Sequence, residues 1–199
     1  MNTTKNYYQK NADNFIQATL EIDMDSIYEK CIPLFPEGGK ILDAGCGSGR
    51  DRLYFKNQGL KVTAIDSCAE FVKFTREYAD VEAVCIPFNE ITFNNEFNGI
   101  WACSSLLHLN HNELTDVFKK LSKALKPDGI IYASFKYGNF SGERNGRIFT
   151  DLTEDSFSKI IYEIPNLKLK EIWITNDQRK EREEEKWLNV FIIKNVKNN

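Results

Sequence analysis

The sequence predicts an α/β chain: a three-layer sandwich built on a seven-stranded, mostly parallel sheet that ends in an antiparallel hairpin. Three observations carry this reading. From Lys40 onward, short apolar runs alternate with segments whose apolar residues recur at helical spacing, the pattern of strand–helix units with helices on both faces of the sheet. The first run, Ile41-Leu42-Asp43-Ala44, breaks into a glycine-rich turn. The last two runs are joined by a short polar, charged stretch with no apolar helical stripe, so they pair with each other as antiparallel neighbours.

Each element follows from local chemistry. The first 35 residues read as helical: Phe15, Ala18, Thr19 and Ile22 share one face, and Ile27 to Leu34 form a second amphipathic piece. Pro33, Pro36, Gly38 and Gly39 then punctuate the chain. After the first strand, Arg50 to Asn57 reads as a helix closed by Gly59. Val62 to Ile65 is a second strand, and Ser67-Cys68-Ala69-Glu70 has capping-box spacing for the helix after it. Val81 to Ile86 and Gly99 to Cys103 are the third and fourth strands.

Asn110 and Glu113 have the same capping spacing, with His111 inside the cap, and Leu114, Val117, Phe118, Leu121 and Leu125 form one apolar stripe. Lys126-Pro127-Asp128-Gly129 is a turn before a fifth strand from Gly129 to Phe135. Thr153 caps a final helix that ends near Ile164, and Leu167 to Thr175 and Trp187 to Lys194 are the hairpin strands. The charged run from Arg179 to Lys186 reads as a solvated hairpin tip, with a lid over a binding site as the minority reading.

Composition sets bounds on function. At 199 residues, the chain fits one domain with a full-sized core. Its net charge of −3 argues against an electrostatic grip on nucleic acid. No apolar run approaches the roughly 18 residues that span a membrane, and the N-terminus lacks the apolar core of a secretion signal. The five cysteines have no CxxC pair and no zinc spacing. They read as free thiols in a reducing compartment, which makes the expected location cytoplasmic and the expected metal content none.

The turn after the first strand, Gly45-Cys46-Gly47-Ser48-Gly49, carries the chemistry. Its spacing is Gly-x-Gly-x-Gly, whereas the dinucleotide fingerprint wants Gly-x-Gly-x-x-Gly; Arg50 occupies the place of that last glycine. Asp43, just before the loop, would repel a pyrophosphate but suits an ammonium group. Asp66 ends the second strand, where a carboxylate can accept hydrogen bonds from both hydroxyls of a ribose. The implied ligand has a ribose and a positive centre but no phosphate chain. S-adenosylmethionine fits that description; a nicotinamide-dependent oxidoreductase is the alternative from another class, but its expected third glycine is missing.

These residues resemble the class I, Rossmann-like S-adenosylmethionine-dependent methyltransferases over about Lys40 to Phe135. The glycine loop with Arg50-Asp51 and the Tyr7-Tyr8 start is also loosely similar to the tellurite-resistance type and other small-molecule methyltransferases. The resemblance implies that Ala44, Gly45, Cys46, Gly47 and Gly49 wrap the methionine portion, that Asp43 anchors the cofactor near its amino group, and that Asp66 and Ser67 hold the ribose. It places Tyr8, Arg50, Phe88 and Cys103 against the cofactor as well. One departure stands out, because Pro87 occupies the position where the family often places an acidic residue near the adenine amino group. The adenine then has Ile86 or Phe88 to stack on, with Asn89 or Glu90 nearby.

The segment Trp101 to Leu109 contains no Asn-Pro-Pro-Tyr motif of the kind used on nucleobases or amides. Ser104 and His108 are the candidate catalytic residues, His108 because an imidazole titrates near neutrality. The competing reading makes His108 a surface or core histidine. Cys103 is a weaker candidate nucleophile. Tyr7, His108, Lys136, Arg144 and Arg147 are the candidate acceptor contacts, the last three on a glycine-containing loop able to meet an anion. Arg50 opens a helix, an unfavourable end for a cation, and so calls for a partner such as Asp51 or an acceptor anion.

The expected organisation is one domain over 1–199: a helical cap (1–36), a cofactor-binding core (40–135), and an acceptor-side loop, helix and hairpin (136–199). The expected reaction is methyl transfer from S-adenosylmethionine to a small molecule by in-line displacement, leaving S-adenosylhomocysteine. RNA or protein methylation, or cofactor binding without catalysis, are the alternatives.

Overall fold

The computed structural model describes residues 3–195; the extreme ends of the expected 1–199 domain, residues 1–2 and 196–199, lie outside the described residues. Helices α1 (Thr3–Thr19) and α2 (Asp25–Cys31) precede β1 (Lys40–Ala44), α3 (Arg50–Asn57), β2 (Lys61–Asp66), α4 (Ala69–Ala79), β3 (Glu82–Cys85) and β4 (Phe97–Ala102). Then follow α5 (His111–Ala124), β5 (Leu125–Lys136), a small pair β6 (Ser141–Arg144) and β7 (Arg147–Thr150), α6 (Glu154–Tyr162), β8 (Leu167–Asn176) and β9 (Lys186–Lys194).

Seven strands form one sheet in the order β3-β2-β1-β4-β5-β9-β8. The first five are parallel, and β9 runs antiparallel to both β5 and β8. The chain lays β2 and β3 on one side of β1, then crosses to lay β4 and β5 on the other. The strand order therefore reverses between β1 and β4, which leaves a crevice at their carboxyl ends where sheets of this kind bind ligands.

Alternation along each strand sends neighbours to opposite faces. Leu42, Ile100, Ile131 and Val190 join a core with Phe118 and Leu121 of α5 and Phe157 of α6. Ile41, Trp101, Tyr132 and Phe191 point the other way, into a core with Tyr28 of α2 and Phe55 of α3. This two-faced burial is why the strands read as continuous apolar runs rather than as alternating ones.

The expected caps at Asn110 and Thr153 both form, each with reciprocal hydrogen bonds to the residue three positions on. His111 is the first residue of α5, not its cap. The expected box at Ser67–Glu70 does not form. Cys68 is the N-cap and makes no side-chain capping bond; its amide is instead satisfied by Asp66 Oδ1 at 2.9 Å. The Lys126–Gly129 turn survives as a bulge inside β5, with Asp128 at φ 58° and the register to β4 shifting there. The loop expected over Lys136–Arg147 is partly ordered into strand: Lys136 ends β5, and residues 141–150 form the β6–β7 hairpin.

Asn110→Ala removes the acceptor for the Glu113 amide and is expected to destabilise the fold by about 1 kcal/mol, read from the denaturant midpoint at unchanged slope.

Candidate functional site

The glycine loop is pinned from below. The amides of Gly45 and Cys46 both donate to Ile65 O, at 2.8 and 3.0 Å, and Ser105 Oγ donates to Ala44 O at 2.6 Å. Gly45 has φ 89°, and a Cβ there would lie 2.3 Å from Ser105 Cβ. Only glycine lets the loop pass so close to the end of β4. Gly49, at φ 82°, is the N-cap of α3.

Two cavities open at this crevice. One, of about 510 Å³, lies over the ends of β2 and β3, with Asp66, Ser67, Phe71, Ile86, Phe88 and Asn89 in its wall. The other, of about 190 Å³, lies toward β5 and the terminal hairpin, with Arg50, Cys103, Tyr132, Ser134, Arg147 and Arg179 in its wall. Six residues border both: Tyr8, Phe15, Gly45, Gly47, Ser104 and His108.

Asp66 is aimed into the loop, its Oδ2 accepting from the Gly47 amide at 3.1 Å. Burial raises its carboxyl above the usual range, opposed by its amide hydrogen bonds. Asp43 corrects the sequence reading. It is 2% exposed, and its Oδ2 lies 3.5 Å from Nε of the fully buried Arg52. Arg52 in turn donates to Thr75 Oγ1 at 2.9 Å. Asp43 therefore supports the loop from inside and does not face a ligand.

Arg50 and Asp51 form an ion pair, with Arg50 Nε donating to Asp51 Oδ1 at 2.5 Å. Tyr28 Oη donates to the same oxygen at 2.6 Å, and Trp101 Nε1 to Oδ2 at 2.8 Å. Burial opposes the Asp51 charge, but Arg50 and these donors outweigh it and hold the carboxyl below its usual range.

His108 also corrects the sequence reading. Its Nδ1 lies 2.6 Å from Ile148 O, which can only accept, so Nδ1 carries the proton. Nε2 then accepts from Tyr8 Oη at 2.8 Å. Burial, together with Arg147, lowers the imidazole to about 4, so at neutral pH His108 does not act as an acid–base group of ordinary pKa. It ties α1 to β7. Cys103 is no thiolate either, because burial raises its thiol to about 11. Ser104 sits at φ 52°, a left-handed conformation for a non-glycine residue, held by Ser134 Oγ accepting from its amide at 2.8 Å.

The candidate acceptor cations divide. Lys136 is buried in β5 and paired with Asp177 and Glu185. Arg144 is paired with Asp151 and borders neither cavity. Only Arg147 faces the smaller cavity without a carboxylate among the described residues. Tyr7 borders neither cavity and packs on Arg147, 4.6 Å from its guanidinium. Ala44 and Gly49 are structural parts of the loop, while Cys46 borders the smaller cavity with its thiol against Thr75.

Sequence reasoning missed Tyr28, Asp177, Arg179, Trp187 and Asn189. Asp177 accepts from Arg179 and from Trp187 Nε1, and Tyr132 Oη donates to Asn189 Oδ1 at 2.7 Å. The Tyr132–Asn189 contact joins strands distant in sequence, and the Asp177 contacts close the turn between β8 and β9. The charge density of the 179–186 run was the one visible signal.

Residues 41–129 match a protein family described as a methyltransferase domain. A putative methyltransferase of Bacillus subtilis (strain 168), YqeM, is 30% identical over 131 residues, 60% of this chain and 52% of that protein. A ubiquinone biosynthesis O-methyltransferase of Actinobacillus pleuropneumoniae is 28% identical over 120 residues, 56% of this chain and 50% of that one. The chain spans about half the length of these curated relatives. The fold is similar to that of a 1,6-didemethyltoxoflavin-N1-methyltransferase of Burkholderia thailandensis, solved with bound 1,6-didemethyltoxoflavin and S-adenosylhomocysteine. That likeness has a TM-score of 0.78 at 19% identity and covers 96% of this chain and 87% of the other. No helix among the described residues is long and apolar enough to cross a membrane.

The depressed His108 predicts a pH dependence. An unfolded histidine, near 6.5, takes up a proton that the folded one refuses until about 4. The stability this contributes is complete above 6.5 and is lost as pH falls through that window. Thermal melts should show this loss, and His108→Gln should flatten the slope between those pH values; an unchanged slope would contradict the assignment.

Proposed function

We propose that this chain, a class I methyltransferase in fold with a methyltransferase domain over residues 41–129, binds S-adenosylmethionine and directs its methyl group onto a small molecule. One observation carries the proposal: the nucleoside-sized cavity and the smaller one meet at Gly45, Gly47 and Ser104, over the reversal of strand order.

The residues fit the cofactor. Each Asp66 oxygen accepts one backbone amide, from Gly47 or Cys68, and keeps lone-pair capacity for the two ribose hydroxyls. Ile86, Phe88 and Phe71 offer apolar surface to an adenine, consistent with Pro87 in place of an acid. The Gly45–Gly49 backbone would hold the methionine portion. When bound, S-adenosylmethionine supplies an electrophilic methyl group on a sulfonium.

The chain's own part is alignment and exclusion of water, which can supply much of the acceleration in an in-line displacement. Tyr8, Phe15, Ser104 and His108 line the junction, and Cys103 lies on the smaller cavity's side of it. Neither His108 nor Cys103 is a base of neutral pKa. The reading therefore favours an acceptor atom already nucleophilic at working pH. We take the chain as one functional unit: cap (1–36), cofactor core (40–135) and acceptor side (136–199), working in the cytoplasm.

Calorimetric titration with S-adenosylhomocysteine tests the binding. Saturable heat is expected, with Asp66→Ala weakening affinity roughly 10- to 100-fold through lost hydrogen bonds to a charged group. No heat from folded protein at millimolar ligand rejects the proposal. Incubation with methyl-labelled donor and a metabolite library should then yield a labelled small molecule; cofactor binding with no labelled product from any acceptor would leave a non-catalytic binder.

A further inference from the structure

The smaller cavity reverses the charge balance of the chain. The whole sequence is net −3, yet five cations line this cavity: Arg50, Lys136, Arg147, Arg179 and Arg182. Three carboxylates answer them. Asp51 takes Arg50, Asp177 takes Arg179 and shares Lys136 with Glu185, and Glu185 also lies 3.7 Å from Arg182. The excess is positive and has no partner among the described residues.

Arg147 is where the excess is most exposed chemically. Its guanidinium lies 4.6 Å from the Tyr7 ring, 5.1 Å from Phe149 and 5.8 Å from Tyr8. Its nearest polar contact is Nη1 donating to Tyr8 Oη at a long 3.4 Å. Its Nε is buried with no hydrogen-bond partner. Aromatic faces hold the cation in place, but they leave its Nε–H unsatisfied, and an unsatisfied buried donor is costly. A planar fork of donors with this deficit matches an oxyanion, which it can take through two parallel bonds.

The methyl donor does not neutralise this excess. It carries one carboxylate against an ammonium and a sulfonium, so its net charge is positive. Binding it adds to the imbalance.

We propose that the methyl acceptor carries an anionic oxygen group, a carboxylate or a phosphate, bound by Arg147 with Arg179 and Arg182 on the same cavity's wall. This rests on the methyltransferase reading above. The apolar part of the acceptor would lie against Tyr132, Phe149 and Trp187, which line the cavity with the cations.

The test uses the full chain, with and without saturating S-adenosylhomocysteine, and three probes of similar shape: benzoate, phenyl phosphate and neutral benzamide. Calorimetry and thermal shift should show one or both anions binding at least roughly tenfold tighter than benzamide. The preferred anion separates a carboxylate acceptor from a phosphate one. Arg147→Gln should remove that preference while S-adenosylhomocysteine affinity stays within about twofold, and Arg147→Lys should restore part of it. Equal affinity for anions and amide, or binding by none of the three at millimolar concentration, overturns the proposal. So does an Arg147→Gln variant that loses S-adenosylhomocysteine instead, because the guanidinium would then serve the cofactor's own carboxylate. If wild type gives no heat with S-adenosylhomocysteine, the methyltransferase reading fails, a result distinct from a failed anion preference.

Discussion

The site depends on one buried carboxylate. Asp51 collects Tyr28 from α2, Trp101 from β4 and Arg50 from its own helix, and each partner comes from a different part of the chain. Removing the carboxylate would strand an indole N–H and a phenol in a dry core, where each lost partner costs about 1–3 kcal/mol. It would also release Arg50, whose guanidinium borders the smaller cavity. The same contact thus docks the N-terminal helices onto the sheet and fixes a cation at the site. A second buried pair, Asp43 with Arg52, supports the glycine loop from within. The loop keeps its shape because both acids behind it are engaged by the protein.

Much of this was legible in the residues. The seven strands and their mixed direction follow from apolar runs, spacing and the short polar link between β8 and β9, whereas the strand order, and with it the crevice at β1 and β4, comes from the fold. Asn110 and Thr153 announce their helices because capping is local. The capping pattern at Ser67–Glu70 misleads for a local reason: the Asp66 carboxylate, two residues before, takes the Cys68 amide. The site divided in the same way. Asp66 and the glycines were legible because backbone geometry fixes where a strand-end carboxylate and a tight turn must go. Asp43 was misassigned because its partner, Arg52, is nine residues on and turned inward, which spacing alone does not reveal. His108 lost its acid–base role to Ile148 O and Tyr8, contacts made across 40 and 100 residues. The cations after β5 looked alike in sequence, and only the fold separates Lys136 and Arg144, which are paired, from Arg147, which is not.

The two cavities differ in what builds them. The larger is walled by ends of parallel strands and the helices behind them, elements tied into both cores. The smaller draws its distinctive residues from hairpins: Arg147 from β7, and Asp177, Arg179 and Arg182 from the tip between β8 and β9. Tyr8 and His108 stand between, and their hydrogen bond joins helix α1 to the turn after β4.

This division has an evolutionary consequence. Hairpin tips tolerate substitution and changes of length far better than strand ends inside a packed sheet. Exchanges at the exposed tips of these two hairpins can therefore reshape the smaller cavity while the larger cavity and the packed sheet stay intact. Chains that share the β1 loop and the carboxylate ending β2 can thus differ in the lining of the smaller cavity through changes in two short ribbons.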